Sequence, residues 1–115
     1  MDPILIVDDD SGFRQLLEAI LRGEGYPVET AAKVAEARKA CGAGRYSLVI
    51  SDLKMPDGDG LDVQKWFVEH APGTPFVLIT GFGTVATAVE AMKRGALDYL
   101  EKPLRSPEEL RRLVR

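Results

Sequence analysis

The chain has 115 residues, which suits one compact domain, and its 45% apolar and 29% charged residues are typical of an ordinary globular protein. A formal net charge of −3 without a long basic run argues against general nucleic-acid binding. One cysteine, Cys41, excludes a disulfide framework, and no apolar run reaches the roughly 20 residues that span a membrane, so we expect a cytoplasmic protein.

The first predicted strand is a continuous apolar run that ends in carboxylates. Residues 3–7 read PILIV and lead directly into Asp8, Asp9 and Asp10. Asp10, together with the serine that follows it, suits the cap of a helix, which explains neither Asp8 nor Asp9. Apolar side chains then recur with helical periodicity until the glycines at 23 and 25, where we expect the first helix to end.

The central stretch of the chain is residues 48–60, LVISDLKMPDGDG. A β-prone segment at 26–30 and an Ala-rich helix that stops at the glycines of 42–44 precede it. Its continuous apolar start predicts a strand buried on both faces, and Asp52 stands where that strand stops. Open α/β sheets place their ligand sites at the carboxyl ends of central strands, which makes Asp52 the main candidate for a functional residue.

The rest of the chain continues the same alternation of helix and strand. The predicted elements are a helix over 61–70, a strand over 76–79, a helix from 85 to 94, a strand over 96–100 and a helix from 106. Five strand–helix units predict a parallel sheet with helices on both faces. The last helix stops at Arg115, about ten residues after its start, so we expect a piece of a longer protein that is truncated in this helix.

Polar side chains follow four of the five predicted strands. They are Asp8 and Asp9, Asp52, Thr80, and Lys102. In a parallel sheet these strand ends share one edge, where three carboxylates repel one another unless a cation neutralises them. Oxygen ligands of this kind suit Mg²⁺. Thr80 and Lys102 are donors for anionic oxygens, so the set predicts phosphoryl transfer to a nucleophilic Asp52.

These motifs resemble the receiver domain of two-component response regulators over essentially the whole chain, residues 1–115. The matching motifs are Val7-Asp8-Asp9, Asp52 with Met55-Pro56 and Asp57-Gly58, Thr80-Gly81, and Lys102-Pro103. The resemblance implies a flavodoxin-like, doubly wound α/β fold with five parallel strands in the order 2-1-3-4-5 and five helices.

The resemblance also implies the chemistry of the acidic site. Asp52 would accept a phosphoryl group from a sensor histidine kinase, in a signalling domain that catalyses only its own phosphorylation and dephosphorylation. Asp9, Asp52 and the backbone carbonyl of Lys54 would bind Mg²⁺, and Asp8 would act through water. Lys54 and Phe82 occupy positions that vary in the family and are associated with the dephosphorylation rate.

The resemblance also implies which residues contact the phosphoryl group and respond to it. Thr80, Gly81 and Lys102 would contact it, and Thr80 and Tyr99 match the two switch positions of the family. Receiver domains typically have a cis peptide bond before the proline that follows Lys102. We expect the face formed by the fourth helix, fifth strand and fifth helix to change shape and to support a homodimer upon phosphorylation.

The segment over 79–104, ITGFGTVATAVEAMKRGALDYLEKPL, is most similar to receivers of enhancer-binding, nitrogen-regulation-type transcriptional activators. This similarity implies an ATPase domain and a DNA-binding domain beyond Arg115. DNA would then be bound only through a domain that this chain lacks.

Two other functions would need residues that this sequence does not have at the required positions. A hydrolase or phosphatase with Asp52 as its nucleophile would be favoured by a second acid at position 54, where it would serve as the general acid or base. Position 54 is instead a lysine, Lys54. A flavin carrier would need a Ser-, Thr- and Gly-rich phosphate loop after the first strand, where this chain has three carboxylates.

Asp57 and Asp59 suit turn formation better than metal binding. A bulky side chain at Gly81 is expected to block the approach to Asp52.

Overall fold

The structure, a computed structural model, describes residues 2–81 and 85–114, apart from the side chain of Val85. In chain order its elements are β1 (Ile4–Val7), α1 (Ser11–Gly23), β2 (Val28–Ala31), α2 (Val34–Ala43), β3 (Leu48–Asp52), β4 (Lys54–Met55), β5 (Gly58–Asp59), α3 (Gly60–His70), β6 (Phe76–Thr80), α4 (Val85–Lys93), β7 (Asp98–Glu101) and α5 (Pro107–Val114). Within these ranges no helix combines the length and the apolar character needed to cross a bilayer.

Five strands form one parallel sheet in the order β2-β1-β3-β6-β7. When the hairpin strands β4 and β5 are left out and these five strands are numbered one to five along the chain, their order is the predicted 2-1-3-4-5. The doubly wound fold with five helices is therefore confirmed. Every residue of β1, β3 and β6 is buried, because helices cover both faces of these three central strands. The edge strands β2 and β7 mix buried or half-buried residues with exposed ones.

Alternate side chains of the central strands pack into two separate hydrophobic cores, because successive side chains of a strand point to opposite faces of the sheet. On one face, Leu5, Val7, Val49 and Leu78 pack with apolar residues of α2, α3 and α4. The other face packs against α1 and α5, with Ile4, Ile6, Ile50, Val77, Ile79, Leu17, Leu21 and Leu110 at its centre. The carboxyl edge of the sheet lies between these two helical layers.

Two strand starts and one loop differ from the sequence-based predictions by more than a single residue. The last strand begins at Asp98 rather than Ala96, because the Ala96 N–H bonds to the Ala91 carbonyl at 3.0 Å and closes α4. The second strand begins at Val28 rather than Tyr26, whose N–H closes α1 at the Leu21 carbonyl, 3.1 Å away. A short antiparallel hairpin, β4 and β5, stands where a plain loop was expected.

The two acids predicted to form the turn after β3 both cap helices. Asp59 and Asp62 make a reciprocal capping box at the start of α3. Asp57 reaches another helix, where its carboxylate accepts the N–H groups of Val34 at 2.8 Å and Ala35 at 3.0 Å. The bond from Ala35 does most to lower the pKa of Asp57. The loop after β3 is thereby tied to the first turn of α2.

Candidate functional site

The carboxyl edge of the sheet brings together the polar residues that follow its strands. Asp8 comes directly after β1, Asp52 ends β3 and Thr80 ends β6. Lys102 follows β7, and its backbone N–H donates to the Thr80 carbonyl at 3.0 Å. Asp9, next to Asp8, is exposed, whereas Asp8, Asp52 and Thr80 are buried.

Asp8, Asp9 and Asp52 form a compact acidic cluster. One carboxylate oxygen from each residue lies within 4.8 Å of the others, which is close enough to hold a single cation. Burial raises the pKa of Asp8, and the charge of Asp52 adds to this effect. The hydrogen bonds from Lys102 and from the Asp10 N–H, the latter 2.9 Å long, offset only part of the rise. Further positive charge would therefore stabilise the carboxylates of the cluster.

Lys102 is the cation of this cluster. Its Nζ lies 2.8 Å from Asp8 Oδ2 and 3.2 Å from Asp52 Oδ2. Burial by itself would lower the pKa of Lys102, but the hydrogen bond to Asp8 and the charges of both carboxylates outweigh it and raise the pKa. The side chain therefore stays an ammonium ion at neutral pH. The peptide bond between Lys102 and Pro103 is cis, as predicted.

Asp52 has one oxygen engaged and one open. Its Oδ2 is paired with Lys102, whereas the buried Oδ1 has no hydrogen-bond partner in the part of the chain that the structure describes. Buried polar atoms are nearly always paired, so such an orphaned acceptor calls for an explanation. A cation or a donor that arrives with a ligand would complete its coordination.

The backbone of Asp52 is held by a close approach of α3. The Gly60 N–H donates to the Leu53 carbonyl at 2.7 Å. A Cβ on Gly60 would clash with the backbone carbonyl oxygen of Asp52 and would lie 2.5 Å from Leu78 Cδ1. Gly60 is therefore the residue that lets α3 begin directly against the candidate phosphoacceptor.

Two residues in the first turn of α1 contact the site and were not predicted. Arg14 Nη1 donates to the backbone carbonyl of Asp8 at 2.7 Å. The Lys102 ammonium lies 4.5 Å from the centroid of the Phe13 ring. In the sequence, helical periodicity fully accounts for Phe13 as a core residue, so no signal pointed to its contact with Lys102.

The remaining predicted residues lie at the rim of the site or outside the described ranges. Gly81 is exposed, and a Cβ there would lie 3.7 Å from Lys102 Cβ, an ordinary contact that leaves room for alanine. Lys54 is exposed in β4. Tyr99 is half-buried against the α2–α3–α4 core, and burial is the main cause of the rise in its pKa. Phe82 lies outside the described residues.

Comparisons with known proteins agree with this geometry. The family model described as "Response regulator receiver domain" matches residues 4–115. The response regulator protein PilR of Pseudomonas aeruginosa is 39% identical over 100 residues, which are 87% of this chain and 22% of PilR. The photosynthetic apparatus regulatory protein RegA of Cereibacter sphaeroides is 42% identical over 87% of this chain and 54% of RegA. The chain thus spans between about a fifth and about half of these two relatives.

Solved structures give the same result. The beryllofluoride-activated receiver domain dimer of NtrC4 superposes with a TM-score of 0.93 at 38% identity, over 99% of this chain and 93% of that one. The receiver domain of NtrX from Brucella abortus gives a TM-score of 0.89 at 35% identity, over 96% and 92% of the two chains. The predicted similarity to receivers of enhancer-binding, nitrogen-regulation-type activators is confirmed. The chain belongs to the receiver domain family of two-component response regulators.

Proposed function

We propose that Asp52 is the phosphoacceptor of this receiver and that a sensor histidine kinase supplies the phosphoryl group. A carboxylate oxygen of Asp52 would attack phosphorus, forming an O–P bond as the P–N bond of the kinase phosphohistidine breaks. The electron pair of that bond goes to the imidazole nitrogen, which is then protonated. The strongest support is the meeting of Asp8, Asp9 and Asp52 within 4.8 Å, beside the ammonium of Lys102.

The residues at this edge fit a Mg²⁺ ion. Hard cations prefer several oxygen ligands, and the buried Asp52 Oδ1 has no hydrogen-bond partner among the described residues. We assign Asp9, Asp52 and the Lys54 backbone carbonyl as ligands, with Asp8 acting through water. When bound, the ion supplies positive charge that offsets the carboxylates and the phosphoryl oxygens.

Replacing Asp9 with asparagine should stabilise the metal-free protein and weaken its response to Mg²⁺. The change removes one of three like charges, but solvent screens the exposed Asp9, so we expect a gain of about 1 kcal/mol or less and a Tm higher by a few degrees. Thermal unfolding in EDTA and in Mg²⁺ measures both effects.

The matched control for Asp9 is Asp10→Asn. Asp10 caps α1 by accepting the Phe13 N–H, and asparagine caps as well as aspartate does. The control therefore makes the same charge change one residue away without touching the cluster. If Mg²⁺ raises the Tm of Asp9→Asn as much as that of the wild type, Asp9 is not a ligand.

Thr80, Gly81 and Lys102 are proposed to bind the phosphoryl oxygens. Lys102 would exchange its contact with Asp52 Oδ2 for one with the phosphoryl group, and the Thr80 hydroxyl would donate to another oxygen. Tyr99 would respond as the second switch residue. Its buried hydroxyl has no hydrogen-bond partner in the described ranges, so a rearrangement that supplies one is favoured.

The direct test is phosphorylation of the wild-type chain by acetyl phosphate. We expect intact mass spectrometry to find one added phosphoryl group in the presence of Mg²⁺ and almost none in EDTA, because the acidic cluster repels the anionic donor when no cation is bound. Equal incorporation in the two buffers would contradict the metal-assisted mechanism.

We further propose that phosphorylation favours a homodimer through the face of α4, β7 and α5. Val89 and Met92 on α4 are 46% and 47% exposed, and Leu97 before β7 is 56% exposed. The same face carries exposed charges of both signs, among them Lys93 and Glu101, which suits a reciprocal contact between two copies. The NtrC4 receiver, solved as a beryllofluoride-activated dimer, supports this proposal.

Beryllofluoride, which stands in for the phosphoryl group, should shift this chain from monomer towards dimer in sedimentation. Met92→Glu should suppress the shift because it replaces an exposed apolar side chain of this face with a charge. Leu16→Glu is the control, since Leu16 is equally exposed, at 47%, but lies on α1. Equal dimerisation of the two variants would place the interface elsewhere.

An output domain under the control of this face, active in transcription, is also a proposal, supported by the greater length of the relatives. DNA would be bound by that domain and not by this chain. The expected continuation beyond Arg115 and the cytoplasmic location stay predictions.

A further inference from the structure

Among the described residues, the ammonium of Lys102 contacts two carboxylates and one aromatic ring. Besides the two carboxylates of Asp8 and Asp52, the Phe13 ring lies with its centroid 4.5 Å from Nζ. A cation within about 6 Å of a ring centroid is attracted by the negative face of the ring. The Lys102 side chain is only 18% exposed, so this attraction is screened less than it would be at the surface.

The ring is held in place before any ligand binds. Phe13 is in the first turn of α1, and its backbone N–H donates to the capping carboxylate of Asp10 at 3.1 Å. Its side chain packs against the core between the sheet and the α1–α5 layer. The contact with Lys102 therefore needs no further ordering of the ring.

The three neighbours of Lys102 differ in what they do during the proposed reaction. A divalent cation would bind Asp52 directly and Asp8 through water, and phosphorylation would move the negative charge of Asp52 onto the phosphoryl oxygens. The Phe13 ring does not compete for the cation, because Mg²⁺ takes oxygen ligands. Of these neighbours, the ring alone neither binds the cation nor changes its charge during the reaction.

We propose that Phe13 is a positioning residue whose ring holds the Lys102 ammonium at the site while Asp8 and Asp52 are engaged by the cation and the phosphoryl group. This inference rests on the proposed function of Asp52. The competing explanation is that Phe13 serves only to pack α1 against the sheet.

Fluorinated phenylalanines separate the two explanations, because fluorine weakens the negative face of the ring while its shape is nearly kept. With one, two and three fluorines at position 13, the rate of phosphorylation by acetyl phosphate in Mg²⁺ should fall stepwise, by about two- to fivefold over the series. The NMR signal of the Lys102 ammonium in the Mg²⁺-bound, unphosphorylated chain should shift in the same steps. Phe67, which is buried in the opposite core, is the control position.

The outcomes are distinct. If the rate and the Lys102 signal stay constant across the Phe13 series, the ring only packs and the proposal is wrong. If both change at Phe13 but not at Phe67, and Phe13→Leu is as slow as the trifluorinated variant, the proposal holds. If even the wild-type chain takes up no phosphoryl group, the function proposed for Asp52 fails, and the Lys102 signal still decides whether the ring holds the ammonium.

Discussion

Replacing Asp52 with asparagine should abolish phosphoryl incorporation from acetyl phosphate while the fold is retained. Asparagine keeps the size of the side chain, but its amide is a far weaker nucleophile than a carboxylate. The variant also removes one charge from the acidic cluster, so we expect the metal-free protein to be no less stable than the wild type. Intact mass after incubation with acetyl phosphate and Mg²⁺ measures incorporation, and thermal unfolding reports on the fold.

The control for this experiment is Asp59→Asn. Asp59 belongs to the same stretch of chain and caps α3, a role that asparagine can fill. The Asp59→Asn variant should therefore take up one phosphoryl group, as the wild type does. Full incorporation by Asp52→Asn would instead assign the phosphate to another acid, with Asp8 and Asp9 as the nearest candidates.

Gly60→Ala should have the largest effect on stability of the substitutions considered. The added methyl group would overlap the carbonyl oxygen of Asp52, and a backbone atom cannot rotate away as a side chain can. Either α3 or the loop after β3 must shift, at a cost of about 2–3 kcal/mol, which lowers the Tm by roughly 10 °C. Because Asp52 itself lies at the contact, phosphorylation of the folded variant should also be slower.

Gly42→Ala provides the comparison for Gly60. Gly42 lies in α2, and a Cβ there meets no atom within 4 Å. Alanine favours the helix, so this variant should be as stable as the wild type or more stable by up to about 1 kcal/mol. If the two variants unfold at the same temperature, α3 does not approach Asp52 closely enough for a methyl group at position 60 to clash.

Continuous burial explains which strands could be predicted from the sequence. In β1, β3 and β6 every residue is buried, so each strand reads as an unbroken apolar run with a clear end. The edge strands read VETA and DYLE, and their mixed exposure leaves no such pattern. Their predicted starts were therefore wrong by two residues each. The β4–β5 hairpin has two residues per strand, which is too short for any periodicity to appear.

The site was predictable to the extent that it follows from strand ends. Asp8, Asp52 and Thr80 were expected at one edge because parallel strands bring their carboxyl ends together, and they lie there. The contacts of Gly60 and Phe13 depend instead on how closely a helix approaches a strand or a lysine that is distant in sequence. No local pattern encodes such a distance, so the sequence alone does not reveal these contacts.

The carboxylate of Asp57 couples hydrogen exchange at the start of α2 to the position of the loop after β3. Two amide hydrogens, those of Val34 and Ala35, are shielded by this one side chain. Their exchange with solvent therefore requires that Asp57 move away, either with its own loop or by fraying of α2. A phosphoryl group that pulls on the loop at Asp52 would change the exchange rate of two amides that belong to a different helix.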